Sequence, residues 1–264
     1  MSLIKTDKPK TVIVWTCGHA TPEVNNERFS WLGSLIYDIK PDYCVDLGDG
    51  SDMKSLNSYD TRNPAALVTQ SYEKDIDSYL DSQERLRHKF RYHKRKKPAW
   101  YGFEGNHENR IKKAIAHDPR IEGEKRGVSF SHLNTKEWFN EYHEYTNSAP
   151  YIACYDGIYY AHFIGAGAYG RPISGEHHGS GLIKKLGASA TVGHSHKLNH
   201  FVKAESFPNP TNGLVAGCFK GADEGWAGQA NREWSKGVCI KRNLANGHYD
   251  LQFISMAALK KEYS

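Results

Sequence analysis

The sequence predicts an α/β protein in which two mixed β-sheets pack face to face, flanked by helices. Two observations predict it. In the first half, short apolar runs alternate with helical patterns, the β-α-β order that lays helices on a sheet. The second half is richer in strands, some joined by Asp-Gly and Asn-Gly turns, which suits a further sheet. The chain of 264 residues is long enough for one large domain or two small ones. Nothing between residues 120 and 150 reads as a linker, so one domain over 1–264 is expected.

The first strand is TVIVW (11–15), and a helix follows around 25–38, where Phe29, Leu32, Ile36 and Tyr37 recur at helical spacing. YCVDL (43–47) and AWYGF (99–103) are the next strands. Between them lies a polar insertion at about 53–97, largely helical from about Asn63. Its last part, RLRHKFRYHKRKK (85–97), holds eight Arg and Lys residues with Phe90 and Tyr92 interleaved. Helices are expected at 107–116 and 135–144. Strands then follow at 151–155, 157–164, 189–194, 200–204, 213–219, 236–242 and 248–254, with a helix at 179–187. Asp156-Gly157 and Asn246-Gly247 are hairpin turns in this reading.

Bulk composition sets limits. The formal charge of +5 permits an anionic partner without demanding one. No apolar stretch approaches membrane-span length, and MSLIKTDKPK lacks the apolar core of a signal peptide. The five cysteines are odd in number and form no CxxC pair, and four lie in apolar runs. That argues against a disulfide framework and for a reducing, cytoplasmic compartment. Histidine stands out, with 14 copies, several beside glycine.

The chemistry-bearing residues cluster at or just past strand ends. Cys17 and His19 follow the first strand in WTCGHAT. Taken alone, Cys17 reads as a buried inert thiol. Asp49 and Asp52 follow the second strand in GDGSD, and Asn106 and His107 follow the third in EGNHENR. His162 lies inside GIYYAHFI, and His194 and His196 follow SATV in GHSH. Carboxy-terminal strand ends are where sites in α/β sheets are usually built. Glycines beside such residues let the backbone approach a metal or phosphate closely.

In this order the motifs resemble those of the calcineurin-like metallophosphoesterase superfamily, whose signature runs D-x-H, G-D-x-x-D, G-N-H-[D/E], a lone H, then G-H-x-H. The resemblance spans residues 12–196. It implies a four-layer sandwich and two divalent metal ions, manganese, zinc or iron. Carried over by motif, His19, Asp49 and His196 bind the first metal together with the residue at position 17. Asn106, His162 and His194 bind the second, and Asp49 bridges the two. Here Cys17 stands where the family normally has Asp. RNA lariat debranching enzymes, a branch of the superfamily, are similar in having C-x-H and G-N-H-E, so the substitution is compatible with activity. A thiolate is softer than a carboxylate and favours zinc or iron over magnesium.

The implied reaction is hydrolysis of a phosphate ester by a hydroxide held between two metals that clamp an in-line displacement. His107 is then the proton donor to the leaving oxygen, or stabilises phosphoryl charge. Asp52 either orients His107 or caps its own loop. Arg110 either reaches a phosphate or is solvated. The loop at 165–181 runs between two ligand motifs, which makes Arg171 and His178 candidate substrate contacts, along with Gly165, Gly167 and His177; the alternative is a plain surface loop.

The leading expectation is a phosphodiesterase acting on nucleic acid or nucleotides. It rests on the basic, aromatic segment 85–97, although a charge run is commonly a solvated helix face. A phosphomonoesterase acting on a small ester or phosphoprotein is the alternative enzyme. Asp52 is followed by Met53-Lys54 rather than the Arg-Gly of serine/threonine protein phosphatases, which counts against that branch. A non-catalytic scaffold is the reading of another class, and the match at His107 and at six of seven ligand positions argues against it. No membrane partner is expected, because no amphipathic membrane-binding helix is evident.

Overall fold

Alternate side chains of the first strand, β1 (Lys10–Trp15), enter two different cores. Val12 and Val14 pack with Tyr43, Val45, Tyr160 and Leu214, whereas Ile13 and Trp15 pack with Phe29, Leu32, Ile36 and Leu86. A strand apolar on both faces belongs in a sheet covered on both sides. The computed structural model describes residues 8–57, 68–92, 96–204 and 210–264.

After β1 come α1 (Glu27–Ile39), β2 (Tyr43–Asp46), α2 (Tyr72–Tyr92), β3 (Ala99–Phe103), α3 (Asn109–His117), α4 (Thr135–Trp138) and β4 (Glu141–His143). The second half holds β5 (Ala153–Tyr155), β6 (Ile158–Ala161), the short hairpin β7 (Gly165–Ala166) and β8 (Arg171–Pro172), then α5 (His178–Leu186) and β9 (Ser189–Val192). It ends with β10 (Leu198–Lys203), β11 (Thr211–Ala216), β12 (Gly237–Ala245), β13 (His248–Ser255) and α6 (Met256–Tyr263).

One sheet has the order β13-β12-β1-β2-β3-β4, the other β10-β11-β9-β6-β5. In the first, β1 to β4 are parallel and β12 runs against β1. In the second, β6, β9 and β11 are parallel. Both are therefore mixed sheets, as the sequence predicts. Tyr43, Val45, Ile158, Tyr160, Leu214 and Cys239 fill the space between them. Helices α1 and α2 cover the outer face of the first sheet through Leu32, Ile36 and Leu86, and α5 covers the second through Leu182 against Val192 and Val215. The result is four layers, helix, sheet, sheet, helix.

Among the described residues, the inner core contains one buried basic group, Lys241. Lys241 is fully buried, and its amine donates to Thr191 Oγ1 at 2.6 Å and Tyr160 Oη at 3.1 Å. Burial holds its pKa well below the ordinary lysine value.

Two features differ from expectation, and a third lies partly outside the described residues. The helix expected over 135–144 stops at Trp138, and Glu141–His143 is instead the edge strand β4. Tertiary pairing overrides helical spacing there: the Asn140 amide donates to Trp100 O at 2.8 Å, and its Oδ1 accepts from the Trp100 amide at 2.7 Å. The C-terminal helix α6 is an addition, started by Ser255, whose hydroxyl accepts from the Ala258 amide. In the 53–97 insertion, a 3-10 turn at Lys54–Leu56 and α2 are described; the expected helix start near Asn63 lies outside the described residues.

The basic end of α2 serves the fold. Phe90 is buried, and the buried Arg87 guanidinium donates to Trp138 O at 2.7 Å and Gln83 Oε1 at 2.6 Å. Arg85 pairs with Asp81, and Arg91 lies 3.6 Å from both Glu84 and Glu137. Residues 93–95 lie outside the described residues. Among the described residues, no helix is long and apolar enough to cross a membrane.

Candidate metal centre

The parallel strands of both sheets deliver their following loops to one edge. The loop after β1 zips onto the loop after β2: the Cys17, His19 and Ala20 amides donate to Gly48, Asp49 and Gly50 carbonyls at 2.8, 2.8 and 2.7 Å. The buried Glu108 carboxylate ties in the loop after β3. It accepts the amides of Asp49 at 3.0 Å, Gly105 at 2.9 Å and Ser51 at 2.9 Å. Across the sandwich, His162 donates through Nδ1 to Leu47 O at 2.7 Å, joining the second sheet to the first.

Five of the seven ligand candidates have left-handed backbones: Cys17 (φ 52°), His19 (44°), Asp49 (54°), His194 (67°) and His196 (61°). For residues with a Cβ each such conformation costs about 1–2 kcal/mol. It persists only where surrounding structure over-determines it, and it clusters at functional sites. Two motif glycines are close-approach positions. A Cβ on Gly105 would collide with Asp49, and one on Gly193 with the Thr16 hydroxyl.

The side chains form two groups that share Asp49. In one, His19 Nε2 lies 3.2 Å from His196 Nε2 and 3.9 Å from Asp49 Oδ2. The Cys17, His19 and His196 donor atoms all fall within 4.8 Å of one another. In the other, His162 Nε2 is 3.1 Å from Asp49 Oδ2, 3.0 Å from Asn106 Oδ1 and 3.3 Å from His194 Nδ1. His194 Nδ1 is 2.8 Å from the same Asn106 oxygen. Cys17 also meets Asp49 and His162 within 4.8 Å, so its sulfur borders both groups.

These separations fit divalent cations. Two nitrogens bound at about 2.0–2.1 Å to one tetrahedral cation stand about 3.3 Å apart, close to the 3.2 Å between His19 and His196. The outer nitrogens are engaged as ligand histidines require. His162 Nδ1 is committed to Leu47 O, and His19 Nδ1 faces Asp52 Oδ1 at 3.3 Å, so both Nε2 atoms point into the site.

Electrostatics favour the neutral, ligating form at three of the histidines and oppose it at Cys17 and His162. Burial, reinforced by His107 and Lys220, brings the His19 pKa down to about 3. Burial and His19 bring His196 to about 2, and burial and His162 bring His194 to about 4. These imidazoles are neutral at physiological pH, with lone pairs to donate. Burial opposes charge on Asp49, but His162 and His107 outweigh it and hold the carboxyl well below its ordinary range. Burial likewise opposes a charged His162, yet Asp49 and Leu47 O leave its pKa above the ordinary value. Burial and Asp49 push the Cys17 thiol well up.

The site opens into a cleft of about 820 Å³ lined by His19, Asp49, Asn106, His107, His194 and His196. His107 donates through Nδ1 to Asp52, with the backbone oxygen at 2.7 Å and Oδ1 at 2.8 Å. Of the two readings of Asp52, the geometry shows the one that orients His107, and the same carboxylate also faces His19. Arg110 lines the cleft, with Nη1 2.9 Å from Asp52 O and Nη2 3.5 Å from His107 Nε2.

Arg171 and His178 do not line this cleft. Arg171 is exposed on β8, and His178 is buried at the start of α5 with Ser195 Oγ 3.5 Å from its Nδ1. None of residues 85–91 lines it either. Sequence reasoning missed Lys54, Lys220, Glu224 and Trp234, which do. Lys220 carried a readable signal, because GCFKG follows a strand as the other motifs do. Trp234 carried none.

No family model and no curated protein matches the sequence. Among solved structures, a metallophosphoesterase from Sphaerobacter thermophilus is similar at 11% identity, covering 96% of this chain and 93% of its own, with a TM-score of 0.43. Yfce, a phosphoesterase from E. coli, is similar at 10% identity over 93% of this chain and 99% of its own, with a TM-score of 0.36. A conserved uncharacterized protein from Streptococcus pneumoniae TIGR4, described as a predicted phosphoesterase, gives 8% identity over 94% and 90%, with a TM-score of 0.38. Likeness at these values assigns no chemistry to this chain, which rests on its own side chains.

Proposed function

We propose that the protein is a metal-dependent phosphoesterase with a dinuclear centre, acting on phosphodiesters. The observation that carries this reading is the sharing of Asp49 between two donor groups, with the His107–Asp52 pair beside it in one cleft. Cys17, His19, Asp49 and His196 would hold one cation, and Asp49, Asn106, His162 and His194 the other. Bound divalent cations would supply Lewis acidity at phosphorus and a nucleophilic water at neutral pH.

The remaining steps belong to side chains. Asp52 accepts from His107 Nδ1 and so fixes the ring, leaving Nε2 to face the cleft 4.0 Å from Asp49 Oδ2. From there Nε2 donates a proton to the departing ester oxygen. The Arg110 guanidinium, 3.5 Å from the same nitrogen, holds a phosphoryl oxygen during that transfer. A diester is favoured over a monoester by the extent of the cleft. A row of ring contacts runs His107, His19, His196, Trp234, at 4.4, 5.2 and 4.6 Å. Arg110 stands at one end and Trp234 at the other, leaving room for a substituent on each side of phosphorus.

The test is elemental analysis followed by turnover of aryl phosphodiester and phosphomonoester panels by protein loaded with manganese, zinc or iron. Two equivalents of metal and preferential diester cleavage are expected. Absence of bound metal, or of any turnover with every metal, would defeat the reading.

A further inference from the structure

Past the histidines the cleft continues onto a wall that phosphoryl chemistry alone does not need. Trp234 sets its ring edge-on to His196 at 4.6 Å. The Lys220 ammonium lies 5.3 Å from the Trp234 ring centroid and 2.9 Å from Glu224 Oε1. All three line the cleft, and Lys220 is only 3% exposed. A cleft of about 820 Å³ is of the size that encloses a whole small organic molecule.

The wall therefore offers an indole, an ammonium donor and a carboxylate acceptor side by side. A nucleobase carries the matching set: a flat π-ring with acceptors and donors along its edge. Bases stack on aromatic side chains whatever their identity. A phosphoserine or an alkyl alcohol presents no ring for the indole, and a sugar ring has no π-face.

We propose that Trp234, Lys220 and Glu224 form a nucleobase subsite, so that the substrate is a nucleoside phosphodiester. This rests on the phosphodiesterase reading above. Trp234 stacks on the base, while Lys220 and Glu224 donate to and accept from its edge.

The test compares thymidine 5′-(p-nitrophenyl phosphate) with methyl p-nitrophenyl phosphate, which release the same phenolate and differ only in the retained group. Manganese-loaded wild-type protein should prefer the nucleoside ester. Trp234→Leu should lower kcat/KM for it by about 5- to 150-fold, the range of base stacking on an aromatic ring, and change the methyl ester by about twofold or less. Trp234→Phe, which keeps a π-face, should retain most of the preference. Equal loss on both esters would reduce Trp234 to a support for His196, and a wild type indifferent to the nucleoside would also overturn the subsite. If neither ester turns over, the phosphodiesterase reading fails separately, and calorimetry decides the subsite. Thymidine 5′-monophosphate binding more tightly than methyl phosphate, with the difference lost in Trp234→Leu, supports it; equal binding overturns it. Should Trp234→Leu not fold, Glu224→Gln is read in the same two assays against the same outcomes.

Discussion

Glu108 holds Asp49 by its backbone. The carboxylate oxygen Oε2 accepts the Asp49 amide at 3.0 Å and the Gly105 amide at 2.9 Å, while Oε1 takes Ser51 at 2.9 Å. One buried carboxylate thus fixes the left-handed turn at Asp49 and the approach of the Asn106 loop to it. Burial and the neighbouring Asp49 push its pKa up to about 7, a rise that the Ser51 amide opposes in part. Glu108→Gln turns one acceptor into a donor facing amide N–H groups. It should destabilise the fold by about 1.5–3 kcal/mol, the worth of hydrogen bonds to a charged group, and weaken both cation positions together. Melting temperature and metal content would check this; a variant matching wild type in both would show the three bonds to be incidental.

His107→Ala should keep its metal content and lose activity. General acid catalysis is typically worth about 10²–10⁴-fold, and the alanine variant should fall in that range on an ester with a poor leaving group. A very good leaving group needs little protonation, so the loss there should shrink. An unchanged kcat on the poor leaving group rules out the role.

Cys17 borders both donor groups, and its two substitutions separate ligand from core residue. As a ligand, Cys17→Asp should stay active and shift its metal preference towards manganese or magnesium, because hard oxygen replaces soft sulfur. Cys17→Ala should lower stoichiometry at the His19–His196 position first. As a mere core thiol, the alanine variant would keep its metal while the aspartate variant buried an unpaired carboxylate and lost stability. Metal stoichiometry and melting temperature of the pair, measured side by side, distinguish the two patterns.

Lys241 gives the molecule a predictable pH response. Its folded pKa is depressed by burial, whereas an unfolded lysine titrates near about 10.4. Between those values the unfolded chain binds the extra proton, so this group's contribution to stability rises with pH. Tyr160 and Tyr249 lie 4.4 and 4.6 Å from the amine and favour the cation, opposing burial. Burial is expected to win, because no carboxylate is among the amine's described hydrogen-bond partners. Lys241→Met should therefore be more stable than wild type at pH 7, by a margin that narrows towards pH 10. A methionine variant less stable at pH 7 would mean the tyrosine faces hold a charged lysine.

Much of the fold was readable because its strands are short, apolar and alternate between two cores, as Val12 and Ile13 do. The site was readable where motif residues sit one step beyond those strands. Edge elements were not. The Glu141–His143 strand exists because Asn140 pairs with Trp100, a contact 40 residues away in the chain that no local pattern displays. Arg171 and His178 were placed near the site by chain order alone, and chain order does not say which side of a loop faces a cleft. Within the run at 85–97, Arg87 and Phe90 pack against the sheet, a burial that the charge pattern alone does not display. Trp234 follows no strand and belongs to no motif, so only three-dimensional proximity to His196 reveals it.

The donors at the cleft are divided between the sheets: Cys17, His19, Asp49 and Asn106 follow strands of one, and His162, His194 and His196 follow strands of the other. Neither sheet can assemble a complete pair of donor groups alone. The centre is thus a reporter of docking between the two halves of the sandwich, complete only while they stay together. A cation captured there would act as a clasp across the seam, stabilising by about 4 kcal/mol when present at a thousand times its dissociation constant. Chelation should then loosen the seam before it melts either sheet, with amide exchange quickening first around Leu47 and His162, where one hydrogen bond already crosses it.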